Sequence, residues 1–174
     1  MLLQRKAKEI FEQMLKPDFY YQNILQININ QLKSLKVEAI ICDLDNTLLN
    51  WESNKISPEV KRWLFEAEKA GISIFILSNA LTSRVNQATE ELDFPVIARA
   101  FKPSKKYFEV AMDILAVEKN RVAVIGDQLF TDVLGANRLG LISILLDPLS
   151  EKDFVGTKLI RLVEKKLKKC LELK

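Results

Sequence analysis

The chain has 174 residues, 48% of them hydrophobic, which fits one globular domain with a full-sized core. It contains no histidine, so Ser-His catalytic sites and zinc sites with His ligands are excluded. The net charge of +3 implies neither nucleic acid nor an anionic membrane as a partner, and the two cysteines lie too far apart in sequence to form a metal pair.

Apolar residues recur at helical spacing before Pro17 and predict an amphipathic helix with a basic polar side. Residues 18–21 break this pattern, and a short helix is expected over 30–36. We assign 1–36 to an N-terminal helix and leading segment, 37–150 to the core, and 151–174 to a basic C-terminal helix.

From residue 37 onward, apolar segments alternate with helical patterns. Strands are predicted over 37–41, 72–77, 95–98, 121–125 and 141–146. One helix begins at Ser57-Pro58-Glu59 and ends at Gly71, and the next is expected to be capped by Thr82 or Ser83. The alternation predicts an α/β fold, a three-layer Rossmann-like parallel sheet with helices on both faces.

The tail over 156–174 is again amphipathic, with seven Lys or Arg against two Glu. Its net charge of +5 exceeds the +3 of the whole chain. Two interpretations stay open: a helix docked on the domain with its basic face in solvent, or a helix that meets an anionic surface or partner.

No apolar run is long enough to cross a bilayer, and the cysteine content suits a reducing compartment. We therefore expect a cytoplasmic protein without a transmembrane segment, and a peripheral place at the membrane is the alternative that the basic ends allow. Nucleic acid is not an expected partner, because the basic residues of the tail are not interleaved with aromatic side chains.

Polar side chains follow four of the predicted strands. They are Asp43 and Asp45, Ser78 and Asn79, Lys102, and Asp127 with Asp132. Because the carboxyl ends of parallel strands meet at one edge of a sheet, we expect these groups to lie together. Asp43 and Asp45 would repel one another on one face of a strand, and a divalent cation is the simplest group to neutralise them.

These residues resemble the motifs of the haloacid dehalogenase (HAD) superfamily of phosphatases. Asp43-Leu44-Asp45-Asn46-Thr47 is similar to the first motif, Asp-x-Asp-x-Thr, and Ser78 to the second. Lys102-Pro103 resembles the third motif, and Gly126-Asp127 with Asp132 the fourth. The resemblance implies a HAD-like fold, and the short spacing between the motifs leaves room for a minimal cap domain or none.

The same resemblance implies a Mg²⁺-dependent phosphomonoester hydrolase. Asp43 would be the nucleophile that forms an aspartyl phosphate, and Asp45 would be the general acid and base. The resemblance assigns phosphate binding to Ser78, Asn79 and Lys102. It assigns Mg²⁺ binding to Asp43, the Asp45 backbone carbonyl and Asp127, with Asp132 as a further ligand or a support. Thr47 would support the first loop.

A longer resemblance includes Leu77-Ser78-Asn79-Ala80, Phe101-Lys102-Pro103 and the run from Gly126 to Arg138. It is to the YqeG-type branch of subclass IIIA, whose relatives include phosphatidylglycerophosphate phosphatases. A phosphorylated lipid headgroup at a membrane surface, in glycerophospholipid synthesis, is therefore the implied substrate. Two alternatives stay open: a phosphatase for soluble sugar phosphates or nucleotides, and a non-catalytic HAD-shaped binding or scaffold protein. Trp51 either contacts substrate or packs the loop after the carboxylates.

Overall fold

The computed structural model describes residues 2–150 and 155–171. The strands in these residues are β1 (Phe19–Tyr21), β2 (Ala39–Cys42), β3 (Ser73–Leu77), β4 (Val96–Ile97), β5 (Val122–Gly126) and β6 (Ile142–Leu146). The α-helices are α1 (Leu2–Leu15), α2 (Ile29–Ser34), α3 (Pro58–Lys69), α4 (Thr82–Thr89), α5 (Lys105–Leu115), α6 (Leu134–Asn137) and α7 (Val155–Cys170). A wide π-helical turn, Leu129–Val133, precedes α6.

The strands form one parallel sheet in the order β1-β6-β5-β2-β3-β4. Strand β2 lies between β5 and β3, with Ile41 opposite both Val124 and Phe75. The polar residues that follow these three strands therefore emerge side by side at the carboxyl edge of the sheet.

Helices cover both faces of the sheet. On one face, Ile40 and Cys42 of β2 belong to a core that includes side chains of α2, α3 and α4. On the other face, Ala39 and Ile41 belong to a core that includes side chains of α5 and α6. Because alternate residues of β2 enter two cores, the strand is apolar throughout. The predicted three-layer parallel architecture is confirmed.

Helix α3 shows how local chemistry sets an element's ends. The Ser57 hydroxyl oxygen accepts a hydrogen bond from the Val60 amide at 3.4 Å, and Pro58 fits the first turn. At the other end Gly71 has φ +87°, a left-handed conformation that glycine adopts without strain. The chain can therefore turn directly from α3 into β3.

The start of α4 differs from the prediction. Leu81 is the N-cap residue and makes no side-chain cap bond, and Thr82 is already helical. A cap by Thr82 or Ser83 is therefore wrong, because the Leu81 backbone carbonyl makes the first helical bond, accepting from the Val85 amide at 3.1 Å.

Strand β1 was not expected from the sequence. It is an edge strand parallel to β6, with Phe19 opposite Ile144. Asp18 ties the two together, since its amide donates to the Ser143 carbonyl at 3.0 Å and its Oδ2 accepts from the Ser143 amide at 2.8 Å. Three residues are too few to show the period of two that marks a strand. Residues 1–36 thus supply one edge of the sheet, and the division of the chain at residue 36 stays a prediction.

The two terminal helices pack near one another. Leu15 of α1 is buried in a cluster with Leu129, Val133 and Leu145, and Leu167 and Leu171 pack against the same cluster from the tail. Helix α7 is therefore docked on the domain. Among the described helices, none combines the length and the apolar character that crossing a membrane requires.

Candidate active site

Three carboxylates meet at the carboxyl edge of the sheet. Asp43 directly follows β2, Asp127 follows the neighbouring strand β5, and Asp132 lies in the π-helical turn after β5. One oxygen of each group lies within 4.8 Å of the other two. All three are buried, with Asp43 the most accessible at 7%. The sheet order thus brings together the acidic residues of the first and fourth motifs.

Gly126 is required by the position of the Asp132 carboxyl group. A Cβ atom at residue 126 would lie 2.2 Å from the Asp132 Cγ atom, closer than two carbons can approach. Asp132 is held there by its own turn, because its Oδ2 accepts hydrogen bonds from the Gln128 amide and the Thr131 hydroxyl, both at 3.2 Å. The Gly-Asp-Gln-x-x-Thr-Asp sequence therefore encodes the placement of its last carboxylate.

Lys102 lies between two of these carboxylates. Its Nζ is 2.5 Å from Asp43 Oδ1 and 2.6 Å from Asp132 Oδ1, and the side chain is buried. Burial alone lowers the pKa of Lys102, but the Asp132 and Asp43 charges and hydrogen bonds outweigh it, so the pKa is raised overall. The ammonium group is therefore charged across the physiological pH range.

Burial raises the pKa of Asp43 to about 8, which disfavours the ionised form that a nucleophile needs. The Lys102 charge lowers this pKa, whereas the neighbouring charges of Asp132 and Asp127 raise it. Additional positive charge beside Asp43 would shift the group toward its ionised form.

Ser78 and Asn79 differ in what they contact. The Ser78 hydroxyl oxygen accepts from the Ala80 amide at 3.1 Å, a bond that does not use the hydroxyl hydrogen. The Asn79 side chain instead pairs with the backbone of Lys102, accepting from its amide at 2.7 Å and donating to its carbonyl at 3.2 Å. Asn79 thus positions Lys102, and a direct contact of Asn79 with phosphate stays a prediction.

Thr47 connects the first motif to the fourth. Its hydroxyl donates to Asp127 Oδ1 at 3.3 Å. Asn46 precedes it with φ +61°, a left-handed conformation that Asn tolerates better than most residues. The loop after β2 therefore turns back sharply. Thr47 holds the Asp127 carboxylate, and its support of its own loop stays a prediction.

Arg84 of α4 is a contact that the sequence did not reveal. Its Nε lies 2.7 Å from Asp45 Oδ1 and its Nη2 donates to the Trp51 carbonyl at 2.9 Å. The guanidinium carbon is 4.7 Å from the centre of the Trp51 ring, within cation–π range. Trp51 therefore packs on Arg84, and Arg84 orients the Asp45 carboxylate. No local pattern around residue 84 signals this role.

Helix α7 contributes two further residues that were not predicted. Arg161 pairs with the Asp127 carboxylate and donates to the Asp127 carbonyl at 3.0 Å. Glu164 is buried, and its Oε1 accepts from the Phe130 amide at 2.9 Å. An acid within a strongly basic helix is the one sequence signal that could have indicated an inward-facing residue.

Replacement of Glu164 by Gln is expected to stabilise the protein at alkaline pH. Burial raises the pKa of Glu164 from 4.5 to about 7, so ionisation above that pH opposes folding. Wild-type stability should fall as pH rises between these two values. E164Q should lack the part of this fall that Glu164 causes and keep the part that Asp43 causes, while its amide oxygen still accepts from Phe130. We expect a gain of about 2 kcal/mol at pH 8 and little at pH 4.5, measured by urea unfolding in chelator.

The matched control is Glu109→Gln, an exposed glutamate of α5. It should change the free energy of unfolding equally at both pH values. If E164Q changes the free energy of unfolding by the same amount across the pH range, ionisation of Glu164 is not the cause of that change.

The acidic cluster fits a divalent cation. When all three carboxylates are ionised, their charge exceeds by one that of the Lys102 ammonium and the Arg161 guanidinium that pair with them. Carboxylate oxygens are also the donors that Mg²⁺ prefers. Asp43 and Asp127 can therefore hold such an ion at the end of β2 and β5.

A model of the family described as mitochondrial PGP phosphatase matches residues 8–149. The chain belongs to this family. It is a HAD-type phosphatase, so the non-catalytic alternative is not supported. A curated relative of the chain, "Probable phosphatase YqeG" of Bacillus subtilis, is 39% identical over 158 residues, which cover 91% of this chain and 92% of that protein.

Two further proteins are similar to the chain, one in part of its sequence and one in its fold. The ribulose-1,5-bisphosphate 5-phosphatase of Halopiger xanaduensis is 29% identical over 112 residues, which cover 59% of this chain and 46% of that protein. A haloacid dehalogenase-like hydrolase from Brucella suis has a similar fold, with a TM-score of 0.53 at 14% identity over 78% of this chain and 96% of that one. The predicted YqeG-type HAD membership is confirmed.

Proposed function

We propose that the chain hydrolyses the phosphomonoester of phosphatidylglycerophosphate in a Mg²⁺-dependent reaction through an aspartyl phosphate on Asp43. The observation that carries the proposal is the 2.5 Å contact between Asp43 and the buried ammonium of Lys102, inside the acidic cluster. A carboxylate held beside an ammonium group is placed to attack phosphorus while the positive charge offsets that of the phosphoryl oxygens.

The ion would be held by Asp43, Asp127 and the backbone carbonyl of Asp45. When bound, Mg²⁺ supplies positive charge that lets an anionic carboxylate approach an anionic phosphate. Asp132 already accepts hydrogen bonds on both oxygens, from Lys102 on one and from its own turn on the other. Asp132 is therefore either a further ligand of the ion or a support that positions Lys102.

The proposed reaction has two displacements. An Asp43 oxygen forms a bond to phosphorus as the bond from phosphorus to the ester oxygen breaks, and Asp45 donates a proton to the departing oxygen. Asp45 then accepts a proton from the water that attacks the aspartyl phosphate, and inorganic phosphate leaves. Ser78 donates its hydroxyl hydrogen to a phosphoryl oxygen, and Arg84 keeps Asp45 oriented from 2.7 Å away.

Two features support a lipid substrate. The family is described as a PGP phosphatase, and its model spans residues 8–149. The connections after β2, β3 and β4 are short, so no large domain folds over the carboxyl edge within the described residues. An open edge admits a large substrate or one held at a surface. The relative named as a ribulose-1,5-bisphosphate 5-phosphatase favours a soluble sugar phosphate as the second candidate.

A phosphate-release panel tests the proposal. The substrates are phosphatidylglycerophosphate in mixed micelles, ribulose 1,5-bisphosphate, glucose 6-phosphate and AMP, each with Mg²⁺ and with EDTA. We expect the highest kcat/KM with the lipid, loss of activity in EDTA and recovery when Mg²⁺ is restored in excess. A sugar phosphate as the best substrate would contradict the lipid assignment, and full activity in EDTA would contradict the metal assignment.

A further inference from the structure

A cavity of about 290 Å³ lies between the segment after β6 and helix α7. Among the described residues it is lined by Asp147, Pro148, Ser150, Arg161, Glu164, Lys165 and Lys168. Its volume is close to the lower end of the range for small-molecule sites. It is therefore large enough for a headgroup and too small for acyl chains.

The cavity shares two side chains with the acidic cluster. Arg161 lines it and also pairs with the Asp127 carboxylate. Glu164 lines it and accepts from the amide of Phe130, which lies between Asp127 and Asp132 in the chain. A group bound in the cavity would therefore lie next to the proposed site of phosphoryl transfer.

The lining suits an anion. It has three basic side chains and two acidic ones, and the acidic Asp147 is already engaged by the Tyr20 hydroxyl at 2.6 Å and by Lys168 at 3.6 Å. Lys165 adds an exposed ammonium group to the lining. Arg161 and Lys168 are paired with Asp127 and Asp147, so the exposed ammonium of Lys165 is the main donor that the lining offers to a phosphate oxygen.

Glu164 has an unusual feature among the residues that line the cavity. Its Oε2 atom is buried and has no hydrogen-bond partner among the residues that the structure describes; the Arg161 Nη1 atom lies 3.9 Å away. A buried carboxyl oxygen left without a bond costs free energy, and a ligand that accepts or donates there would recover it. Because burial raises the pKa of Glu164 to about 7, its protonated form can donate to an anion near neutral pH.

We propose that this cavity binds the phosphodiester of a substrate whose phosphomonoester lies at Asp43. This inference rests on the proposed function and adds to it the place where the diester of the substrate binds. Lys165 is the main contact with the diester oxygens, and the chains attached to the diester extend out of the cavity. A substrate that is only a phosphomonoester has no diester to bind in the cavity.

Kinetics with three substrates tests the inference. They are phosphatidylglycerophosphate in mixed micelles, its deacylated water-soluble form, and glycerol 3-phosphate, which lacks the diester. In Lys165→Ala we expect the kcat/KM ratio of each diester substrate to glycerol 3-phosphate to fall about tenfold, and further in Lys165→Glu. The matched control is Lys166→Ala, an exposed lysine outside the cavity lining, which should leave these ratios unchanged.

A direct binding measurement separates this inference from the proposed function. Glycerophosphoglycerol carries the diester without the monoester, and its titration into wild type by ³¹P NMR should show saturable binding that Lys165→Glu weakens at least tenfold. If this binding occurs but no phosphomonoester is hydrolysed, the proposed function fails and the cavity assignment stands.

Other outcomes overturn the cavity assignment. One is hydrolysis of all three substrates with an unchanged ratio in Lys165→Ala and no binding of glycerophosphoglycerol. The other is a Lys165 effect confined to the micellar lipid, since that would mean attraction to an anionic surface and not recognition of the diester.

Discussion

Asp43→Asn is expected to lower phosphate release by at least about 10⁴-fold, because an amide cannot form the aspartyl phosphate. Asn has nearly the shape of Asp, so the backbone bond from the Asp43 amide to the Ile125 carbonyl at 2.8 Å should persist. The loss should appear in kcat with every phosphomonoester tested. It is measured as initial phosphate release with Mg²⁺ present.

The matched control for this change is Asp113→Asn, an exposed aspartate of α5. It should keep wild-type kcat. Thermal unfolding of both variants shows whether either has lost the fold. A folded Asp43→Asn protein that turns over at more than about a hundredth of the wild-type rate would exclude Asp43 as the nucleophile.

Lys102→Met is expected to affect both stability and catalysis. In the folded protein the Lys102 ammonium pairs with Asp43 at 2.5 Å and with Asp132 at 2.6 Å, and Met has no charge to replace it. Removal of one partner from a buried ion pair typically costs about 3–5 kcal/mol. We expect destabilisation of this size in chelator, and a fall of about 10³-fold in kcat with Mg²⁺ present.

Two comparisons make the Lys102 prediction specific. Lys105→Met removes an exposed lysine three residues further along the chain and should change neither quantity. Urea unfolding of Lys102→Met with and without Mg²⁺ should show that added Mg²⁺ restores part of the lost stability, since the excess carboxylate charge then has a counter-ion. Equal stability of Lys102→Met and wild type in chelator would mean that Lys102 does not neutralise the buried carboxylates.

Much of the scaffold could be predicted because its signals are local. The strand before Asp43 is an uninterrupted apolar run. The helix that begins at Pro58 is flanked by its N-cap residue Ser57 and by Gly71, where the chain turns away from the helix. Strand β1 escaped prediction because three residues carry no recognisable period, and because the pairing that defines it is with Ser143 and Ile144, more than a hundred residues away.

The motif residues of the candidate site were identified from short spacings and from their resemblance to a known superfamily. Their side-chain partners were not. Asn79 illustrates the difference: its place after β3 was predicted, whereas its two hydrogen bonds to the Lys102 backbone could be seen only in the folded chain.

The sequence by itself determined the alternation of strands and helices and the order of Asp43, Ser78, Lys102 and Asp127 along the chain. These depend on periodicity and on neighbours within a few positions. Only the tertiary structure decided that Arg84 orients Asp45 and that Arg161 and Glu164 of α7 join the site. Those contacts link residues 34 to 39 positions apart, and no local pattern encodes which distant side chains a docked helix will meet.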